Sequence, residues 1–363
     1  MLYIRTDWLN EIGKEIPTTV DKFLEVCDAI KKWDSSKIPI TAYKGSFVNL
    51  LRTLLPAFGP LVNDRYGLDE ETDKVVYVPS TEQYKLTLMY INELYKKQYL
   101  DNDLFTQDAA QANSKMKENI AAMGNNGTVL LPSNFKSGEL EMTILEPLTS
   151  QYSNVKRVLG VSPGKCSQTA LTTKLEYPEA IVRWFDINYS EEDVATDIVK
   201  GLNNVSMWLG LEGEHWEYVN DEKTIFRRIV PEGIQMSEEE YRVKYVAPNA
   251  IGPICVVLSA MPEKKSNPAQ YMKAYESKEH HYPFMVTGFK NGYMKYTPEE
   301  QERLKILAND IETYTTQMEA KFVIGQESFD NWDSYINTLK EMGLEELIKI
   351  KQAAYERYKL LLD

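Results

Sequence analysis

The chain has 363 residues, a length that fits about two domains, each large enough to bury a core of its own. Lys and Arg total 41 against 54 Asp and Glu, and the resulting net charge of −13 repels phosphate backbones, so nucleic acid is set aside as a partner. The longest apolar run, Ile251 to Met261, is broken by Pro253 and falls short of the roughly 20 residues that cross a bilayer.

The N-terminal Met1-Leu2-Tyr3-Ile4-Arg5-Thr6-Asp7-Trp8-Leu9 carries no basic segment followed by an apolar core, so neither a signal peptide nor a lipobox is read in this chain. Thr18 with Asp21 predicts the start of a helix whose apolar face is Val20, Phe23, Leu24, Cys27 and Ile30. Ile38 to Tyr43 and Val75 to Val78 read as short strands. Ser80 and Gln83 open a second helix, and a third spans about Ala109 to Asn119. Ile120 to Met123 then runs into Gly124-Asn125-Asn126-Gly127, where Gly and Asn make a sharp bend cheap. Strands at Met142 to Leu145 and Val155 to Val161 and a helix from Pro178 follow. This alternation predicts an α/β fold with a parallel sheet covered by helices. The middle third is irregular, with a hairpin expected at Asn220-Asp221. The last third is helical, with a long helix from Thr297-Pro298-Glu299-Glu300 to Gly325 and a terminal pair split at Gly343.

No catalytic set emerges. Gly160-Val161-Ser162-Pro163-Gly164 has the G-x-S-x-G spacing of a hydrolase elbow, but Pro163 lacks the N–H that the oxyanion hole takes from the residue after the nucleophile. Glu212, Glu214, His215 and Glu217, like Glu276, Glu279, His280 and His281, lack the H-E-x-x-H spacing and read as solvated acidic loops, so no metal is expected. Cys27, Cys166 and Cys255 are scattered and read as small buried apolar groups. There is no Walker sequence and no G-x-G-x-x-G, so no cofactor is expected either. A chain with 23 Tyr and 3 His suits binding better than catalysis. Tyr offers an apolar face and a hydroxyl, which match the two chemistries of a sugar.

Four segments taken together carry a resemblance. They are Tyr3 to Leu9 with Pro17 to Phe23; Tyr177-Pro178-Glu179-Ala180 to Asp186 with Tyr189-Ser190-Glu191-Glu192; Leu211-Glu212-Gly213-Glu214-His215-Trp216; and Phe329-Asp330-Asn331-Trp332-Asp333 through Met342-Gly343-Leu344 to Tyr358. In this order the chain resembles the large lipoprotein branch of the extracellular solute-binding proteins, family 1, which serve ABC importers, mostly for oligosaccharides. The resemblance implies a periplasmic-binding-protein-like type II fold of two α/β lobes that close on ligand at a hinge. It implies a carbohydrate ligand, the permease subunits of an ABC transporter as partners, and an extracellular, membrane-anchored lipoprotein. Trp33 to Pro39 is too short and too poor in oxygens for the calcium loop of many relatives.

The family's first βα units have no counterpart before Tyr3, so the N-terminal lobe is expected to be incomplete in this chain. The expected division is 1–164 as a C-terminal-type α/β lobe, 165–235 as the remainder of the N-terminal-type lobe, and 236–363 as a helical segment that completes the first. A glycan-processing enzyme with a carboxylate pair and a truncated fragment that binds nothing are the alternatives. Open α/β sheets bind ligands beyond the C-terminal ends of their strands, which selects Tyr43, Ser46 and Phe47 after one strand and Asn125 and Asn126 after another. Tyr314 joins them from the long helix, where core burial competes with ligand contact.

Overall fold

In a computed structural model of the chain, residues 1–62, 65–69, 71–124, 142–160, 171–186, 205–206, 209–236, 238–246, 261–263, 276–286 and 294–360 are described. The chain divides into two compact units. One comprises Met1–Phe135, Leu140–Gly160 and Ser277–Asp363, and the other Lys136–Glu139 and Val161–Glu276.

The first unit is built on β1 (Tyr3–Arg5), α1 (Thr6–Glu11), α2 (Val20–Trp33), β2 (Ile38–Thr41), α3 (Phe47–Leu54), β3 (Tyr66–Asp69), β4 (Lys74–Tyr77), α4 (Glu82–Lys96), α5 (Ala109–Lys117), β5 (Ala121–Gly124) and β6 (Met142–Ile144). Its sheet has the order β2-β5-β1-β6. β2 and β5 run parallel, with Ile40 opposite Met123 and Thr41 opposite Gly124. β1 runs against both neighbours, Tyr3 pairing with Gly124 on one side and Ile144 on the other, so the sheet is mixed where an all-parallel one was expected. All three residues of β1 are buried, and such a strand carries no local signal of direction.

Helix starts fall close to their expected places. The side chain of Thr19, one residue past Thr18, accepts from the Lys22 N–H, and Thr81 rather than Ser80 caps α4. The long helix Pro298–Ile324 begins as expected: Thr297 Oγ1 accepts from the Glu300 N–H at 3.2 Å and Glu300 Oε2 from the Thr297 N–H at 2.9 Å. Gly325, at φ 77°, ends it in a left-handed turn that a residue with a Cβ adopts only at a cost.

This helix lies on the first half of the chain. Tyr77 and Thr315 share a hydroxyl hydrogen bond of 2.8 Å, Arg65 pairs with Glu319, and Asn92 Nδ2 donates to the carbonyls of Phe322 and Val323 at 3.0 and 2.9 Å. The terminal helices Trp332–Glu341 and Leu344–Lys359 add Trp332, Tyr335, Leu339 and Leu347 to the same core as Phe23, Ile40, Leu88 and Ile91. Cys27 is buried in that core, and burial pushes its thiol pKa up. Cys166 and Cys255 lie outside the described residues.

In the second unit, Trp216–Tyr218 pairs antiparallel with Ile225–Arg228 across the expected turn, where Asn220 Oδ1 accepts from the Thr224 and Ile225 N–H groups. Ile225–Arg228 also pairs in parallel with Met261–Pro262. The second unit runs on to Glu276. Among the described residues no helix is long and apolar enough to cross a membrane.

Candidate functional site

In the first unit, the parallel strands β2 and β5 end side by side at Thr41 and Gly124. The residues after β2 form a tight turn. The Tyr43 carbonyl accepts from the Ser46 N–H at 2.8 Å and from the Ser46 hydroxyl at 3.0 Å, while Ser46 Oγ accepts from the Tyr43 N–H at 3.0 Å. Gly45 leaves room for the Tyr43 ring: a Cβ on it would stand 2.8 Å from Cε2 of Tyr43. The Tyr43 ring therefore lies folded against the backbone of its own turn.

The six sequence-selected residues fare differently. Tyr43 is half-buried, whereas Ser46 and Phe47 are buried, and the Ser46 hydroxyl is spent on the turn. Phe47 meets Phe105 edge-on with ring centres 5.3 Å apart. Tyr314 sits in the helical layer, its ring stacked 5.8 Å from that of Tyr335, and packs on the main core. The structure thus brings Tyr43, Ser46 and Phe47 together and holds Tyr314 on the long helix. Asn125 and Asn126 lie outside the described residues, as do Ser162 to Gly164.

Beneath the turn is a buried polar network that sequence reasoning missed. Asp101, only 3% exposed, accepts from Thr41 Oγ1 at 2.8 Å, from Gln107 Nε2 at 2.8 Å and from Lys115 Nζ at 2.9 Å. Burial pushes the Asp101 carboxyl up, but the hydrogen bonds from Lys115, Gln107 and Thr41 outweigh it and hold it below the usual carboxylate range. Gln107 Nε2 also donates to the Ala42 carbonyl at 2.5 Å, which ties the end of β2 to the network. The outer edge of β2 is paired by backbone as well, Ile40 N–H donating to Tyr99 and Asp101 N–H to Ile40. Nothing local in Asp101-Asn102-Asp103-Leu104-Phe105-Thr106-Gln107 marks these roles, because Thr41 lies 60 residues from Asp101 and Ala42 lies 65 from Gln107.

The other clusters weighed from sequence have local work. His215 Nδ1 accepts from the Leu211 N–H at 3.0 Å and Trp216 Nε1 donates to the Gly210 carbonyl at 3.1 Å, so Leu211 to Trp216 is a knot folded on itself. Glu217 pairs with Arg227. His280 contacts Glu146, itself paired with Lys156, and His281 Nε2 lies 3.0 Å from the Leu145 carbonyl. Among the described residues no group of three or more His, Cys, Asp and Glu is arranged to hold a metal ion.

A mixed sheet with helices on it and a chain that leaves for a second unit and returns match a type II periplasmic-binding-protein-like fold. No family model matches the chain. In sequence it is similar to the fructooligosaccharide ABC transporter substrate-binding protein FusA of Streptococcus pneumoniae, 22% identical over 99% of this chain and 65% of the relative. The chain therefore spans a little under two thirds of that relative's length. The structure of FusA in complex with kestose matches with a TM-score of 0.67 at 19% identity, covering 99% of this chain and 72% of that one. A solute-binding protein for human milk oligosaccharides from Bifidobacterium longum infantis matches with a TM-score of 0.66 at 16% identity, over 98% and 73%.

Proposed function

We propose that this chain captures an oligosaccharide outside the membrane and delivers it to the permease subunits of an ABC importer, without catalysis. The observation that carries the reading is the match to an oligosaccharide-binding protein over 99% of the chain, in sequence and in fold. The Tyr43 turn supports it: a half-buried ring at the end of a parallel strand offers a flat apolar face to the C–H face of a sugar. A similarity over 56% of this chain to the lipoprotein LipO of Bacillus subtilis supports a lipid-anchored, extracellular setting.

The test is a thermal-shift screen with kestose, nystose and unrelated disaccharides, followed by chromatography of each sugar after incubation. A ligand present at about 100 times its Kd stabilises by about 2.7 kcal/mol through mass action. A raised melting temperature with intact sugar supports capture. Cleaved or transferred sugar refutes it in favour of a glycan-processing enzyme, and no shift with any of the sugars refutes the oligosaccharide reading.

A further inference from the structure

Gln107 holds a position that its own neighbourhood does not explain. Its side chain is 6% exposed, its Nε2 donates both to the Ala42 carbonyl and to Asp101, and its Oε1 has no hydrogen-bond partner among the described residues. Turning the amide over would set Oε1 against a carbonyl and a carboxylate, so the orientation is forced although it leaves a buried acceptor unsatisfied. Leaving such an acceptor alone costs stability, and native folds keep few of them. What the arrangement secures is the Ala42 carbonyl, in the peptide that joins Ala42 to Tyr43.

We propose that Gln107 is the positioning residue of the Tyr43 ring, fixing the Ala42–Tyr43 peptide just past β2 so that the ring presents one face at the strand end. This rests on the oligosaccharide reading for its purpose but not for its geometry. Asp101 serves as the anchor. Its charge is held by Lys115 and Thr41, and it orients one Gln107 proton so that the other reaches Ala42. The turn then closes through Ser46, and the ring lies against Gly45. Gln107, Asp101 and Ser46 thus set one aromatic ring, and each link is a hydrogen bond or a close approach.

The test has two arms on the full 363-residue chain. In the first, amide hydrogen exchange without ligand is compared in wild type, Gln107→Met, Gln107→Asn and Thr41→Val. Gln107→Met keeps length and volume, and Gln107→Asn keeps the amide but cannot span both acceptors, so one variant serves if the other does not fold. Exchange at the Tyr43 and Ser46 amides rises about tenfold in the Gln107 variants, the weight of one hydrogen bond, and less than twofold in Thr41→Val, which disturbs Asp101 but leaves the Ala42 carbonyl held. An equal rise in Thr41→Val, or a rise spread evenly over α4, overturns the proposal.

In the second arm, kestose is titrated into wild type, Gln107→Met, Tyr43→Ala and the double variant. Gln107→Met weakens binding about fivefold when Tyr43 is present and less than twofold when it is absent, because residues acting through one another are not additive. Equal losses in both backgrounds overturn the proposal. If wild type itself binds no sugar, the oligosaccharide reading fails while the exchange arm still decides the positioning role.

Discussion

Asp101→Asn is the sharpest perturbation of the network under the site. The carboxylate accepts five hydrogen bonds from four donors: two from Lys115, one each from Thr41 and Gln107, and one from the Asp103 N–H at 3.1 Å. Asparagine keeps one acceptor oxygen and turns an NH2 toward groups that are themselves donors. Removing one partner of a buried pair costs about 3 to 5 kcal/mol. The Lys115 side chain is 20% exposed and keeps Asp103 at 2.8 Å, so its charge is not orphaned, and the expected loss falls to about 2 to 4 kcal/mol. Two units break two-state behaviour, so the loss is read from urea-dependent hydrogen exchange of α4, which reports the first unit alone. The lowered Asp101 pKa sets the pH signature. The native state binds this proton less readily than the unfolded chain, so the contribution is complete above about pH 4 and is lost on acidification below it. The gap between wild type and Asp101→Asn therefore closes below pH 4. A loss under about 1 kcal/mol at pH 7, or a gap that widens in acid, refutes the network as the support of the strand end.

Gly45→Ala places a Cβ 2.8 Å from the Tyr43 ring, which has to swing away. Kestose affinity is expected to fall severalfold while the melting temperature stays within about 3 °C, since the lost chain entropy offsets a modest rotamer strain. Titration with unchanged affinity counts against Tyr43 as the contact. Asn92→Ala strips the Phe322 and Val323 carbonyls of their shared donor, and urea-dependent hydrogen exchange of α4 is expected to show a loss of about 1 to 3 kcal/mol; no loss means water replaces the amide without cost. Burial lowers the pKa of His281 against the opposing effect of the Leu145 carbonyl, so the fold favours its neutral form and stability falls as pH drops below about 6.5. His281→Gln is expected to flatten the melting temperature between pH 7.5 and 5.5 relative to wild type, and parallel curves would show that another group titrates.

Helices were legible wherever cap and stripe agreed. Thr297, Pro298, Glu300 and Gly325 mark both ends of the long helix because capping is a local bargain between a side chain and the nearest free N–H or C=O. Thr19 and Thr81 displaced the expected caps by one residue, since adjacent Thr-Thr and Ser-Thr pairs offer the same hydroxyl and only the helix axis chooses between them. Strand direction was not legible. The reversal of β1 rests on pairing Tyr3 with Gly124 and Ile144, contacts on which local patterning is silent.

The strand-end rule selects Tyr43, Ser46 and Phe47 together, because it depends only on where β2 stops. Ser46 and Phe47 lie just past the same strand, yet a turn that tight must satisfy its own N–H and carbonyl groups, which takes the Ser46 hydroxyl, and α3 must bury its first apolar side chain, which takes Phe47. Gln107 shows the converse. It lies in an ordinary turn, and the hydrogen bonds that give it its proposed role exist only once the Asp101 segment pairs with the edge of β2. A binding surface of this kind has two layers, a contact layer chosen by position along the strand and a supporting layer chosen by whichever segment covers the sheet edge. Sequence position reaches the first layer; only the fold reaches the second, and the second decides whether an aromatic ring is presented or merely present.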